Sequence, residues 1–103
     1  MIHNEEAKLV TLTTSGATVA RTETPVWCGK KSVTFKEFYA AVEVGINPQY
    51  IFEIDIDEYN RAIITETGEN KQRPTELIYN DEKFNIIRTF EPVGGIIEVT
   101  VGL

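Results

Sequence analysis

Apolar and polar positions alternate along most of the chain. From Tyr50 to Asp57, Tyr50, Phe52, Ile54 and Ile56 fall on one side, and Glu53, Asp55 and Asp57 on the other. That period of two marks an antiparallel strand with one face in a core and one in water. Lys8 to Thr13 repeats the pattern, Val10 and Leu12 opposed to Thr11 and Thr13,. A second strand is predicted over Thr24 to Lys31, around Val26, Trp27 and Cys28. Pro25 belongs at its start or edge, because proline cannot donate to a ladder. Arg61 to Thr67 reads as a further short strand. Glu76 to Tyr79 and Lys83 to Glu91 form a hairpin through Asn80-Asp81-Glu82,. Pro92 to Gly95 turns the chain again, and Ile96 to Val101 closes the sheet with Ile97, Val99 and Val101 on one face. The polar stretches Thr14 to Glu23 and Thr67 to Thr75 read as exposed loops,.

One segment has a different period. Thr34 and Glu37 have capping-box spacing, and Val33 and Phe38 flank the cap as a hydrophobic staple,. Phe35, Phe38, Tyr39 and Val42 recur at i, i+3, i+4 and i+7, one stripe of a short helix,. Gly45 suits the helix end and Pro48 prevents continuation,. So short a helix is unstable alone, so the stripe is expected to pack on the chain's own sheet rather than on a partner. The predicted fold is mainly β: a small antiparallel β-barrel of six or seven strands, with one short α-helix inserted after the second strand. Residues 1–103 are read as a single domain, with 1–7 a loose terminus,.

Composition then narrows the function. The formal net charge is −6, and Lys30-Lys31 is the only adjacent basic pair. Such a chain gains little from counterion release on DNA. One cysteine permits no internal disulfide,. The polar, acidic start lacks the features of a signal peptide,, and no apolar run reaches membrane-spanning length,. The expected setting is a cytoplasm, or an assembly built there.

Candidate chemistry is sparse. Asp55, Asp57 and Glu58 are the nearest approach to a metal cluster, but offer too few oxygens for calcium or magnesium,. Cys28 lacks a base, since the single histidine is His3 at the terminus,. No lysine or helix start follows Gly94-Gly95, so it is no phosphate loop,. Trp27 is assigned to the core, with an interface anchor as the alternative,. Arg88 falls by alternation on the face of Phe84, Ile86 and Phe90, where a charge needs a partner,. No catalytic, cofactor-binding or metal-ligating residue is expected, and no cofactor.

The stretch Lys31-Ser32-Val33-Thr34-Phe35-Lys36-Glu37-Phe38-Tyr39-Ala40-Ala41 resembles the phage head–tail joining (head-closure) proteins. The likeness continues through Val44 to Ile54, Glu58-Tyr59-Asn60, Ile78 to Glu91 and Ile97-Glu98-Val99, collinear over residues 8 to 101. Two departures are the Asp81 where that family usually has a turn glycine, and a longer loop over Gly68 to Thr75. The resemblance implies a non-enzymatic virion protein, assembled in a bacterial host cytoplasm. Such a protein joins the DNA-filled head to the tail as a ring subunit of the connector. Its implied partners are a portal or adaptor ring, tail proteins and copies of itself, while phage DNA passes without specific binding and no membrane is involved. Lys30, Lys31, Arg61, Lys71, Arg73 and Arg88 are the candidate assembly residues, set against the many carboxylates. The alternative is a small OB-like barrel module for nucleic acid or a protein partner. An enzyme has the least support, because no nucleophile, base and orienting group come together.

Overall fold

The computed structural model describes residues 4–15, 17–32, 48–65 and 71–102. In chain order the elements are β1 (Glu5–Ser15), β2 (Thr18–Ser32), β3 (Pro48–Asp55), α1 (Ile56–Arg61), β4 (Ile64–Thr65), β5 (Lys71–Gln72), β6 (Glu76–Tyr79), β7 (Glu82–Val93) and β8 (Ile96–Gly102). Six of the strands close into a barrel in the order β1-β2-β3-β8-β7-β6. Every neighbouring pair is antiparallel, and β1 closes on β6 through Lys8↔Ile78, Leu9↔Leu77 and Val10↔Glu76. The mainly β, small antiparallel barrel expected from alternation is therefore the fold. The expected helix bearing Phe35, Phe38, Tyr39 and Val42 lies outside the described residues. A different short helix, α1, follows β3.

The interior is apolar. Leu9, Val26, Cys28, Phe52, Ile54, Leu77, Phe84, Ile97, Val99 and Val101 converge there from all six barrel strands. On β8 the alternation read from sequence holds, with Ile97, Val99 and Val101 inside. On β1 the inward row is Ala7, Leu9 and Thr11, while Val10 is buried on the opposite side of the strand. Thr11 is tolerated inside because its hydroxyl donates to the carbonyl of Ala62 at 2.5 Å, so no buried donor is left unmatched. Glu5 and Glu6, expected in a loose terminus, already pair with Cys28 and Trp27.

Further expectations are corrected. The supposed loop from Thr14 to Glu23 is a hairpin ladder that runs to Ser15↔Thr18. Its threonines are polar but β-branched, and favour a strand even where neither face is buried. The strand from Tyr50 stops at Asp55, whose carboxylate accepts from the backbone N–H of Asp57 at 2.9 Å and caps α1,. Asp57 and Glu58 in the first turn and Arg61 in the last complement the helix dipole,. Of the stretch read as a strand from Arg61 to Thr67, Arg61 ends α1 and Ile64–Thr65 pairs with Lys71–Gln72, while 66 and 67, like 68–70 of the expected loop, lie outside the described residues. Lys71 and Gln72, with the buried Pro74, fall where an exposed loop was expected.

The last correction concerns β7. Its register against β8 shifts between Ile86 and Arg88. A bulge adds one residue and reverses inside and outside beyond it. Ile86 lies opposite Val101 in the core, whereas Arg88 pairs with Thr100 and Phe90 with Glu98. Both Arg88 and Phe90 are exposed, so the arginine is not a buried charge. The β6–β7 turn has Asn80 and Asp81 at φ 52° and 62°. That is the left-handed geometry a two-residue hairpin requires, and it locates the strain implied by aspartate in place of glycine.

Candidate functional site

One end of the barrel is formed by the start of β1, the ends of β2, β6 and β8, and the starts of β3 and β7. Aromatic side chains fill it. Tyr50 meets Phe84 edge-on at 5.6 Å between ring centroids, and Phe52 meets Tyr79 at 5.1 Å. Lys30 Nζ sits 4.7 Å from the Tyr50 ring and 5.1 Å from the Tyr79 ring, a cation against two aromatic faces. The Tyr79 hydroxyl donates to Glu5 at 2.5 Å. That hydrogen bond, aided by desolvation, pushes the phenol up to about 12. The Tyr79 phenol therefore keeps its proton at neutral pH.

At the opposite end α1 brings Tyr59 and Ala62 into the core. Burial raises the Tyr59 phenol, opposed by nearby Arg73 and by a hydrogen bond with Thr89. Glu58 accepts from the backbone N–H of Trp27 at 3.1 Å and from Arg61 at 3.4 Å, tying the helix to β2. The acidic trio weighed as a metal site is thus split. Asp55 caps the helix, Glu58 holds β2 and Arg61, and Asp57 has moved from strand to helix. Among the described residues no three metal-ligating side chains converge.

Cys28 is fully buried, and desolvation, reinforced by Glu5 and Glu58, pushes its thiol up to about 12. It is a small apolar filler in this environment, since a thiolate would be the nucleophile. Trp27, one residue earlier, points the other way and is 49% exposed. Its assignment to the core is overturned by the alternation of β2, which buries Val26 and Cys28.

The six candidate cations do not form one patch. Lys30 lies over the rings, while Lys31 pairs with Glu98 at 2.7 Å and Glu53 at 3.7 Å on the outside of the barrel. Arg61 closes α1 against Glu58, and Arg73 lies near Tyr59. Lys71 and Arg88 are exposed on β5 and β7. Sequence reasoning missed a second cluster. Glu76 of β6 holds Arg21 of β2 at 2.8 Å across β1, and Lys83 of the neighbouring β7 at 3.3 Å. Desolvation acts to raise the Glu76 carboxyl, but these two partners outweigh it and the group titrates below its ordinary value. The Arg21 contact depends on the closing pair β1–β6, which no local pattern shows.

An open groove of about 670 Å³ lies on the outer surface. It crosses the start of β1, with Pro25 and Trp27 of β2 on one side and Ile78 on the other. Glu5, Glu6, Lys8 and Asp81 supply its charges, Glu5 being the carboxylate that Tyr79 holds. Val19 and Phe90 are the other large apolar side chains left in solvent among the described residues. No helix there is long and apolar enough to cross a membrane. No protein-family model matches the chain, and no curated protein matches it.

Proposed function

We propose that this protein is a non-enzymatic subunit of a phage or prophage connector, joining the DNA-filled head to the tail as part of a ring. The observation that carries the reading is the distribution of apolar surface. The barrel interior is filled by its own side chains, while Trp27 and Phe90 stand in solvent on separate outer faces. A barrel with a packed interior and exposed aromatic anchors suits recognition through its outside, as interface hot spots are enriched in aromatics and arginine. The collinear resemblance over residues 8 to 101 supplies the identity of the assembly. The acidic balance of the chain suits a channel wall that DNA slides past, since phosphate finds few cations to hold it,. Virion location, with assembly in a bacterial cytoplasm, belongs to the same reading.

The test is binding of the purified protein to a preformed portal-type ring, followed by sedimentation and electron microscopy. Weak self-association alone and tight binding to the ring are expected. Tight binding to a generic oligonucleotide without portal affinity would remove the proposal.

The groove beside Trp27 supports a second reading, a small barrel module for nucleic acid or a protein partner. Single-strand binders combine basic grooves with exposed aromatics, whereas Glu6 and Asp81 edge this one. A salt titration separates the two readings: affinity for an oligonucleotide that falls steeply with salt favours the module.

A further inference from the structure

Trp27 lies on β2 and Phe90 on β7, strands that stand three apart in either direction around the six-stranded barrel. They therefore face opposite ways and cannot meet within one molecule. Beside Trp27, the carboxylates Glu6 and Asp81 have no ion-pair partner among the described residues, and Lys8 is turned toward Glu23 at 3.6 Å. Beside Phe90, the bulge of β7 places Arg88 on the same outer face, exposed and likewise without an ion pair among the described residues. One surface is thus an open groove with an indole and with the carboxylates of Glu6 and Asp81 unpaired among the described residues. The other is a ridge with a phenyl ring and the Arg88 cation unpaired among the described residues, the Glu98 carboxylate opposite Phe90 being held by Lys31. Each is incomplete in the sense the other would satisfy.

We infer that the Trp27 groove on the outside of β1 receives the Arg88–Phe90 ridge of β7 from a second copy of this chain. The choice of a second copy rests on the connector reading, and the charge complementarity of the two faces supports it. Phe90 seats against Trp27, Pro25 and Ile78, and Arg88 faces Glu6 and Asp81. Such a contact is heterologous, because each molecule contributes a different patch to its two neighbours. Repetition carries the association onward from copy to copy, and closes it when the rotation between neighbours permits a ring. A two-fold dimer uses the same patch twice and makes neither of these contacts.

Complementation by two variants tests this directly. Trp27→Ala spoils the groove and leaves the ridge; Phe90→Ala spoils the ridge and leaves the groove. Both residues are exposed, so both variants should fold, and circular dichroism with an unreactive Cys28 confirms it. Sedimentation of the wild-type chain should show a mass that rises with concentration. Each variant alone should associate at least about tenfold more weakly, the effect expected of an aromatic anchor. Mixed in equal amounts, they retain one usable groove and one usable ridge, and should form a heterodimer that does not grow further. Arg88→Glu should also weaken wild-type association, and an added Asp81→Arg should restore part of it.

A wild-type chain that remains monomeric to about 1 mM overturns the inference, because no interface of useful strength is then present. So does a variant that associates like the wild type, or a mixture that yields no heterodimer while the wild type assembles. Portal binding is read separately. A chain that binds the portal ring but fails complementation removes this interface alone, and one that complements without portal affinity removes the connector reading alone.

Discussion

At one end of the barrel, Tyr50, Phe52, Tyr79 and Phe84 pack in T-shaped and tilted pairs, with Lys30 over two of the rings. At the other, a six-residue helix brings Tyr59 and Ala62 into the same core. The first closure is made by strand side chains, and its upper layer is wet: Tyr50 and Tyr79 are half-buried and Lys30 is exposed. The second is made by a change of secondary structure, and it is dry, with Tyr59 4% and Ala62 1% exposed. A barrel this small has room for side chains alone, so either end can be sealed by whichever element the chain has to hand. The difference lies in what fails when each seal is cut.

The largest effect is expected at the helix end. Tyr59→Ala leaves a cavity beneath α1 and should cost about 3–5 kcal/mol, the range for a buried aromatic. Tyr50→Ala at the half-open end should cost only about 1–2 kcal/mol, because water already reaches that ring and burial is partial. Urea unfolding of the two variants, with m compared as well as midpoint, measures both. Equal losses would mean that the two seals are equivalent and that the contrast in burial has no energetic meaning.

These ends were unequally legible in the sequence. The aromatic end follows from a period of two: Tyr50, Phe52 and Ile54 lie on the inner face as alternation requires. The helix end does not, because Ile56 and Asp57 continue the same alternation after the backbone has left the sheet. The decisive signal is Asp55 as an N-cap, and an aspartate on the wet face of a strand looks the same in sequence. Arg88 and Phe90 were misplaced for a related reason. Periodicity presumes an unbroken register, and the bulge after Ile86 breaks it without a glycine or proline to announce it. Trp27 shows the converse case. It was assigned to the core, but with Val26 and Cys28 buried on either side the alternation of β2 places it outside. The groove drew on β1, β2 and β6 together, so no local pattern could have shown it.

The next contrast is in pH. Cys28 and Tyr79 are both raised to about 12, from ordinary values of 9.0 and 10.0. For each, the folded state holds its proton at pH values where the unfolded chain has released it. The stability they contribute is present in full below pH 9 and is lost progressively as pH rises toward 12,. Unfolding midpoints measured from pH 8 upward should therefore fall on the alkaline side. Tyr79→Phe removes one of the two titrating groups along with its hydrogen bond to Glu5, and should make that fall shallower. An unchanged alkaline slope would show that the aromatic end does not hold its phenol as the contact with Glu5 requires.

Helix capping comes next. Asp55→Ala removes the acceptor for the Asp57 N–H and should cost about 1 kcal/mol. The loss should be accompanied by faster amide exchange through α1, with the aromatic end unaffected. Asp55→Asn keeps a side-chain oxygen and should recover most of the stability. That recovery separates the cap from a general effect of charge in an acidic protein.

The smallest effect is expected at Lys30. Its ammonium lies over two rings but remains in contact with water, so the attraction is worth about 0.5–1 kcal/mol. Lys30→Met keeps much of the apolar stem over Tyr50 and Tyr79 while deleting the charge, and Lys30→Ala deletes both. If the cation itself matters, both variants should lose stability at neutral pH. If the stem alone matters, Lys30→Met should match the wild type, and the lysine would then serve as an apolar lid with a soluble tip. Either result sharpens the comparison between the ends, because the residues that close the helix end, Tyr59 and Ala62, are themselves buried and gain nothing from such a tip.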